Sequence, residues 1–245
     1  MTPQPASPLR LLAFDTSTDR LSVAVQHGDQ RFTQDGEGGA QSSATLIPMV
    51  RALLARADLP LKSLDAIVFG RGPGSFTGLR TACAVAQGFA YGAGVPVLPV
   101  DTLLAVAQDA RTRHGATRVL ALLDARMNEL YSAAYQADGA TGAWQALGDM
   151  VVGPPENLQA PADASAAAGW VLAGNAFAAY GERLPAALAA WPRLDARPTA
   201  SALLDLAPGL LAAGGAVDAA QALPLYIRDK VAQTTAERLA RGGVR

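Results

Sequence analysis

Four consecutive polar residues, Asp15-Thr16-Ser17-Thr18, follow one short apolar run and precede another. In a nucleotide-binding hairpin their hydroxyls and amides would face a phosphate, and the carboxylate would order a metal-bound water. An ordinary polar β-turn accounts for the same residues, because Asp, Ser and Thr are common turn formers. The second candidate is Gly70-Arg71-Gly72-Pro73-Gly74-Ser75-Phe76-Thr77-Gly78-Leu79-Arg80. Here a strand feeds a glycine-rich turn that opens a helix, and free amides at a helix N-terminus attract anions. Gly72, Gly74 and Ser75 would line such a site. The segment lacks the Gly-Lys-Ser/Thr end of a P-loop, and its Gly72-x-Gly74-x-x-x-Gly78 spacing is too long for the dinucleotide-binding fingerprint. A structural turn, with glycines that permit positive φ and close helix packing, also fits. Nothing marks metal or nucleophilic catalysis: His27 and His114 are isolated, and no cysteine pair or Gly-x-Ser-x-Gly elbow occurs. Asp15, Asp101 and Asp124 each follow an apolar strand, and ligands bind at the carboxyl ends of strands in α/β sheets. Helix capping explains Asp101 equally well.

These residues need elements to hold them. Residues 9–14 and 21–26 read as two strands joined by a tight polar turn, with 31–34 a third strand. Residues 41–57 predict a helix, because Leu46, Val50, Leu53 and Ala57 recur at helical spacing and Ile47 and Leu54 widen the stripe. Residues 66–69 form a buried strand, and 76–91 a helix capped by Ser75. A further buried strand spans 95–100, and a helix spans 102–110. The second half repeats the pattern more weakly. The run 119–123 ends at Asp124 as 11–14 ends at Asp15, and 130–135 returns as its hairpin partner. A strand at 170–173 is closed by Gly174-Asn175, and 200–213 is an apolar helix. Strands and helices alternate, so the class is α/β.

Two helices look more apolar than one packed face requires. Leu46, Ile47, Met49, Val50, Leu53 and Leu54 cover well over half the circumference of the first, where a stripe of about 100° would suffice. Gly78, Ala82 and Ala86 give the second a small-residue face that lets another backbone approach. Together they are the candidate partner surface. The competing reading is that the other lobe covers them.

Composition narrows the function. Lys and Arg number 20 against 21 Asp and Glu, which supplies no global attraction to phosphate or anionic lipid. If RNA is involved, a partner does most of the holding. The lone Cys83 sits in an apolar helical run, which fits a buried thiol and a reducing, cytoplasmic compartment. Residues 1–8, with Pro3, Pro5 and Pro8, read as a disordered tail rather than a signal peptide or anchor. Residues 81–100 carry no charge, but Gly88, Gly92, Gly94, Pro96 and Pro99 favour a helix followed by a strand over a membrane span.

Taken together, these residues resemble the TsaB (YeaZ) family. The matching stretches are Leu12-Ala13-Phe14-Asp15-Thr16-Ser17-Thr18, Leu46-Ile47-Pro48-Met49-Val50, the glycine-rich segment from Gly70 to Arg80, Asp124-Ala125-Arg126-Met127 and Pro224-Leu225-Tyr226-Ile227-Arg228. The glycine-rich stretch is the specific one. The resemblance implies an actin-like (ASKHA, Gcp-like) fold of two similar lobes, 9–103 and 104–223, with 224–245 packing back on the first. It implies a non-catalytic partner of a TsaD-like catalytic subunit, which transfers threonylcarbamoyl to the adenosine beside the tRNA anticodon. A TsaE-like ATPase is a further partner, tRNA is met indirectly, and the chain alone would pair as a homodimer. The catalytic relatives bind metal through a His-x-x-x-His helix. The corresponding positions here are Thr102 and Val106, and valine has no ligating atom, so neither metal nor cofactor is expected. The residues Asp15, Thr16, Ser17, Thr18, Gly72, Gly74 and Ser75 would then form a degenerate nucleotide or anion site. The alternative is an autonomous ATPase or kinase of the same fold, separable by ATP turnover of the pure chain.

Overall fold

A computed structural model describes residues 8–228 other than 163 and 166. The first lobe opens with the strands β1 (Arg10–Asp15), β2 (Arg20–His27) and β3 (Gln30–Glu37), an antiparallel meander. After the helix α1 (Ser42–Arg56), strand β4 (Ala66–Gly72) joins β1 in parallel. The helix α2 (Phe76–Ala93) then leads to β5 (Val97–Asp101), parallel to β4. The sheet order is β3-β2-β1-β4-β5.

A middle helix, α3 (Thr102–His114), carries the chain to the second lobe. There β6 (Arg118–Arg126) and β7 (Glu129–Ala137) form the hairpin, and the short β8 (Trp144–Ala146) and β9 (Val151–Gly153) cover the outer edge of β7. Strand β10 (Trp170–Gly174) lies parallel to β6. After two single-turn helices, α4 (Phe177–Tyr180) and α5 (Ala186–Ala189), β11 (Arg193–Asp195) completes the order β11-β10-β6-β7-β8. Strand for strand this repeats the first sheet. The two-lobed α/β architecture expected from the sequence is the one observed, and it is that of the actin-like fold.

Alternation along each strand builds the layers, since successive side chains point to opposite faces. Leu12 and Phe14 of β1 face α1 and α2, whereas Leu11 and Ala13 face the interior. In β6, Leu120 and Leu122 face the outer layer of α4 and α5, and Val119, Ala121 and Leu123 face α3. Helix α3 therefore sits between the sheets. Beside it lies α6 (Ala200–Ala212), whose Leu203, Leu204 and Ala207 pack with Ala13, Val68 and Leu98 of the first sheet.

This last contact corrects the lobe boundary at 223. Helix α6 and the bridge from Val217 to Val97 belong with the first sheet, although the sequence order assigns them to the second lobe. The apolar face of α6 is satisfied by a sheet formed long before it in the chain. The tail 1–7 and residues 229–245 lie outside the described residues.

Candidate functional site

Two of the three strand ends that the sequence singled out, those at Asp15 and Asp124, lead into one cleft, whereas Asp101 stands outside its lining and pairs with Arg71 at 2.5 Å. It lies between the lobes and has a volume of about 620 Å³. The first lobe contributes Ser17, Thr18, Asp19, Gly74, Ser75 and Phe76; the second contributes Asp124, Arg126, Tyr131 and Asn175. Arg197 and the stretch from Leu225 to Arg228 complete its rim.

In the first lobe the polar loop is bonded to itself and to the start of α2. Asp15 and Thr16 are buried. Asp15 Oδ1 accepts both the Ser17 amide, at 2.8 Å, and the Ser17 hydroxyl, at 2.6 Å. Its Oδ2 has no partner among the described residues and fills the space where a side chain at Gly70 would stand. Burial pushes this carboxyl up to about 6, against the two Ser17 hydrogen bonds, which pull it down. The Thr16 hydroxyl donates to the Gly78 carbonyl at 2.6 Å, and the Ser75 amide donates to the Ser17 carbonyl at 2.7 Å. A methyl group on Gly78 would overlap the Thr16 carbonyl oxygen, and one on Gly74 would stand 2.6 Å from that of Ser17. These glycines let the start of α2 dock directly on the β1–β2 turn. Of the loop residues, Thr18 is half-buried, and its hydroxyl accepts the Arg20 amide at 3.2 Å.

In the second lobe an arginine of the β6–β7 turn lines the cleft. The β6–β7 turn holds Arg126, Met127 and Asn128 at φ 60, 55 and 64. Arg126, with 77% of its side chain exposed, returns to pair with Asp124 at 3.2 Å. Asp124 also accepts from the Tyr180 hydroxyl at 2.9 Å and the Arg126 amide at 2.7 Å, and its own amide donates to Asn175 Oδ1. Among the described residues no group of three or more His, Cys, Asp or Glu could hold a metal ion. The Thr102 hydroxyl accepts the Gly72 amide at 3.1 Å, and Val106 lies in the core below β6, so that helix does not fit the metal of catalytic actin-like relatives.

The candidate partner surface needs correction. Leu46, Met49, Val50, Leu53, Gly78, Ala82 and Ala86 are buried against the first sheet, and Leu54 packs against the same core. The close approach that Gly78 permits is to Thr16 within the chain. Of the residues proposed, Ile47 alone is exposed. The solvent face of α1 is instead Ser43, Ala44, Ile47, Pro48, Arg51, Ala52, Ala55 and Arg56, and that of α2 is Phe76, Thr77, Arg80, Ala84, Gly88, Tyr91 and Gly92. Tyr91 is 87% exposed. The cleft residues Phe76, Arg197, Tyr226 and Arg228 also went unassigned. Asn175 was legible, because it follows an apolar strand as Asp15 and Asp124 do.

No helix among the described residues is long and apolar enough to cross a membrane. A family model described as "TsaD: tRNA N6-adenosine threonylcarbamoyltransferase" matches residues 37–236. A protein of Escherichia coli K12, "tRNA threonylcarbamoyladenosine biosynthesis protein TsaB", is 35% identical over 236 residues, 91% of this chain and 96% of its own. The protein of the same name from Haemophilus influenzae is 45% identical over 123 residues, 50% of this chain and 52% of its own. The structure of YeaZ from Pseudomonas aeruginosa superposes with a TM-score of 0.81 at 42% identity, covering 89% of this chain and all of that one. Fold, cleft and these likenesses agree, and the chain belongs to the TsaB (YeaZ) family within the wider TsaD, or Gcp-like, group.

Proposed function

We propose that the chain is the non-catalytic partner subunit of an assembly that forms threonylcarbamoyladenosine in tRNA, working beside a TsaD-like transferase. One observation carries the accessory role. The cleft keeps the actin-like layout, but the Ser17 amide and hydroxyl that would grip a phosphate are spent on Asp15. Arg126 stands in the second lobe's phosphate-loop position. Thr102 and Val106 offer no ligand set.

The partner surface in this reading is the outer face of α1 and α2. From Thr81 to the end of α2 the helix carries no charged residue, and Ala84, Gly88, Tyr91 and Gly92 face solvent. A solvent-facing helix normally carries charge on that side. Small residues four apart let a second helix approach closely, and Tyr91 supplies an aromatic anchor. Without its partner the same face pairs two copies about a two-fold axis. A TsaE-like ATPase joins the assembly, and the transferase provides the tRNA contact, consistent with the neutral charge of this chain. The test is co-purification with the TsaD-like protein of the same cell, followed by a modification assay with and without this chain. Threonylcarbamoyladenosine formed at full rate without it, or steady ATP turnover by the pure chain, overturns the proposal.

A further inference from the structure

After α6 the chain returns along the first sheet and reaches α2, where the Ala222 carbonyl accepts the Cys83 thiol at 3.1 Å and the Gln87 amide at 2.9 Å. Residues 223–228 then form neither helix nor strand and cross the mouth of the cleft. On the first lobe, the Leu225 amide donates to the Arg71 carbonyl at 2.7 Å. The Leu225 carbonyl lies over Gly72, at φ +125, where any side chain would overlap it. The Tyr226 ring stacks at 5.4 Å on Phe76, and its hydroxyl accepts from Arg80 Nε at 3.1 Å. On the second lobe, Ile227 joins the core beneath β6. Arg228, with 15% of its side chain exposed, reaches Glu129 at 2.5 Å, the Ala125 carbonyl at 3.2 Å and the Met127 sulfur at 3.2 Å.

We infer that residues 223–228 are an interlobe latch, which holds the cleft at this opening and whose release lets the lobes swing apart. The Arg228 end grips a turn that needs holding. Three successive L-residues at positive φ cost energy, and such backbone persists only where its surroundings over-determine it. The latch is also poised to release. Arg228 Nε has no partner among the described residues, and a buried guanidinium only partly compensated lies close to balance. The Phe76–Tyr226 stack at the other end is 41% and 44% exposed, so parting it costs little burial. Across the same mouth, Arg197 and Asp19 pair at 3.4 Å as an exposed bridge, too weak to hold the lobes alone.

The experiment compares the full-length chain with Arg228→Gln, Arg228→Lys and Tyr226→Ala. Spin labels at Gln34→Cys on β3 and Ala187→Cys on α5, both exposed, report the distance between lobes, with the buried Cys83 left in place. Amide exchange reports 72–80 and 125–130 separately. Arg228→Gln should lengthen and broaden the distance and speed exchange roughly tenfold in both segments, although Arg228 touches only the second. Arg228→Lys, which keeps the charge on Glu129, should fall between it and the parent. Faster exchange confined to 125–130 with an unchanged distance would overturn the latch. If Arg228→Gln does not fold, Tyr226→Ala releases the opposite end and must give the same opening, and an unchanged distance there overturns it equally.

Discussion

Gly88 separates a free helix surface from a covered one, because the same methyl group should act in opposite directions on the chain and on its complex. Gly88 lies inside α2 and is exposed, and a methyl group on it would meet no atom of the described residues within 4 Å. Replacing it with alanine removes unfolded-chain entropy and restores helix propensity at no steric cost. That should stabilise the lone chain by about 0.5–1 kcal/mol. For a protein of this length the gain corresponds to a melting shift of roughly 1–4 °C. If a partner helix seats on Ala84, Gly88 and Gly92, the methyl instead overpacks a close contact. The cost of overpacking is about 1–3 kcal/mol, or roughly 5- to 150-fold in affinity. Calorimetric melts of the chain over a dilution series exclude self-association as the source of the shift. Titration against the TsaD-like partner then reads the second effect. A more stable chain with unchanged affinity would refute the interface; no gain in stability would refute the exposure of Gly88.

Three further outcomes follow from burial. Val50→Glu places a carboxylate in the fully buried layer between α1 and the first sheet, so the lone chain should lose several kcal/mol in urea unfolding; a folded, equally stable variant refutes that placement. Gly78→Ala drives a methyl into the Thr16 carbonyl and should cost about 1–3 kcal/mol by the same assay, and a neutral result would mean that the start of α2 does not dock on the β1–β2 turn. Burial holds Asp15 near 6, above its ordinary 3.8, so between these values the folded chain binds more protons than the unfolded one, and stability falls as pH rises through the window before levelling off. The loss is on the order of 3 kcal/mol, Asp15→Asn should flatten it, and a slope unchanged in that variant removes Asp15 as its source.

The frame of the molecule was readable where long apolar runs set the period. β1, β4 and β6 carry continuous apolar runs, β2 carries one interrupted only by Ser22, and α1 and α2 repeat at helical spacing, so both hairpins emerge from pattern, whereas the two lobes came with the family resemblance. Strands β8, β9 and β11 each have three residues, too few to show any alternation, and α4 and α5 are single turns. These elements exist because a sheet already formed offers them an edge or a face. The return of α6 to the first sheet was hidden for a related reason: its apolar stripe states that it is covered, and not by which sheet. The cleft was half legible, since Asp124 and Asn175 each close an apolar strand and Ser17 and Thr18 follow one, whereas Arg197 and Arg228 reach it from segments without periodicity.

The partner face was misread for a physical reason that points to a better signal. Counting apolar residues around α1 treated Leu46, Met49, Val50 and Leu53 as surplus, but their spacing of three and four is one core stripe, and all four are buried. What remains outside is Ile47 among Ala44, Ala52 and Ala55, with Pro48, Arg51 and Arg56 beside them, a face of small and basic residues rather than of large apolar groups. On α2 the stripe Gly78, Ala82 and Ala86 turns inward, while Ala84, Gly88 and Gly92, two positions along, turn outward with the same spacing. On the proposed reading, the two small-residue stripes serve close contacts on two sides of the helix. The inner side meets the β1–β2 turn and the sheet. The outer stripe has no such neighbour among the described residues, since added Cβ atoms at Gly88 and Gly92 meet nothing there. A glycine in a helix interior costs helix stability wherever nothing requires it. That unexplained cost, more than any apolar surplus, locates the surface at which a second helix is to be sought.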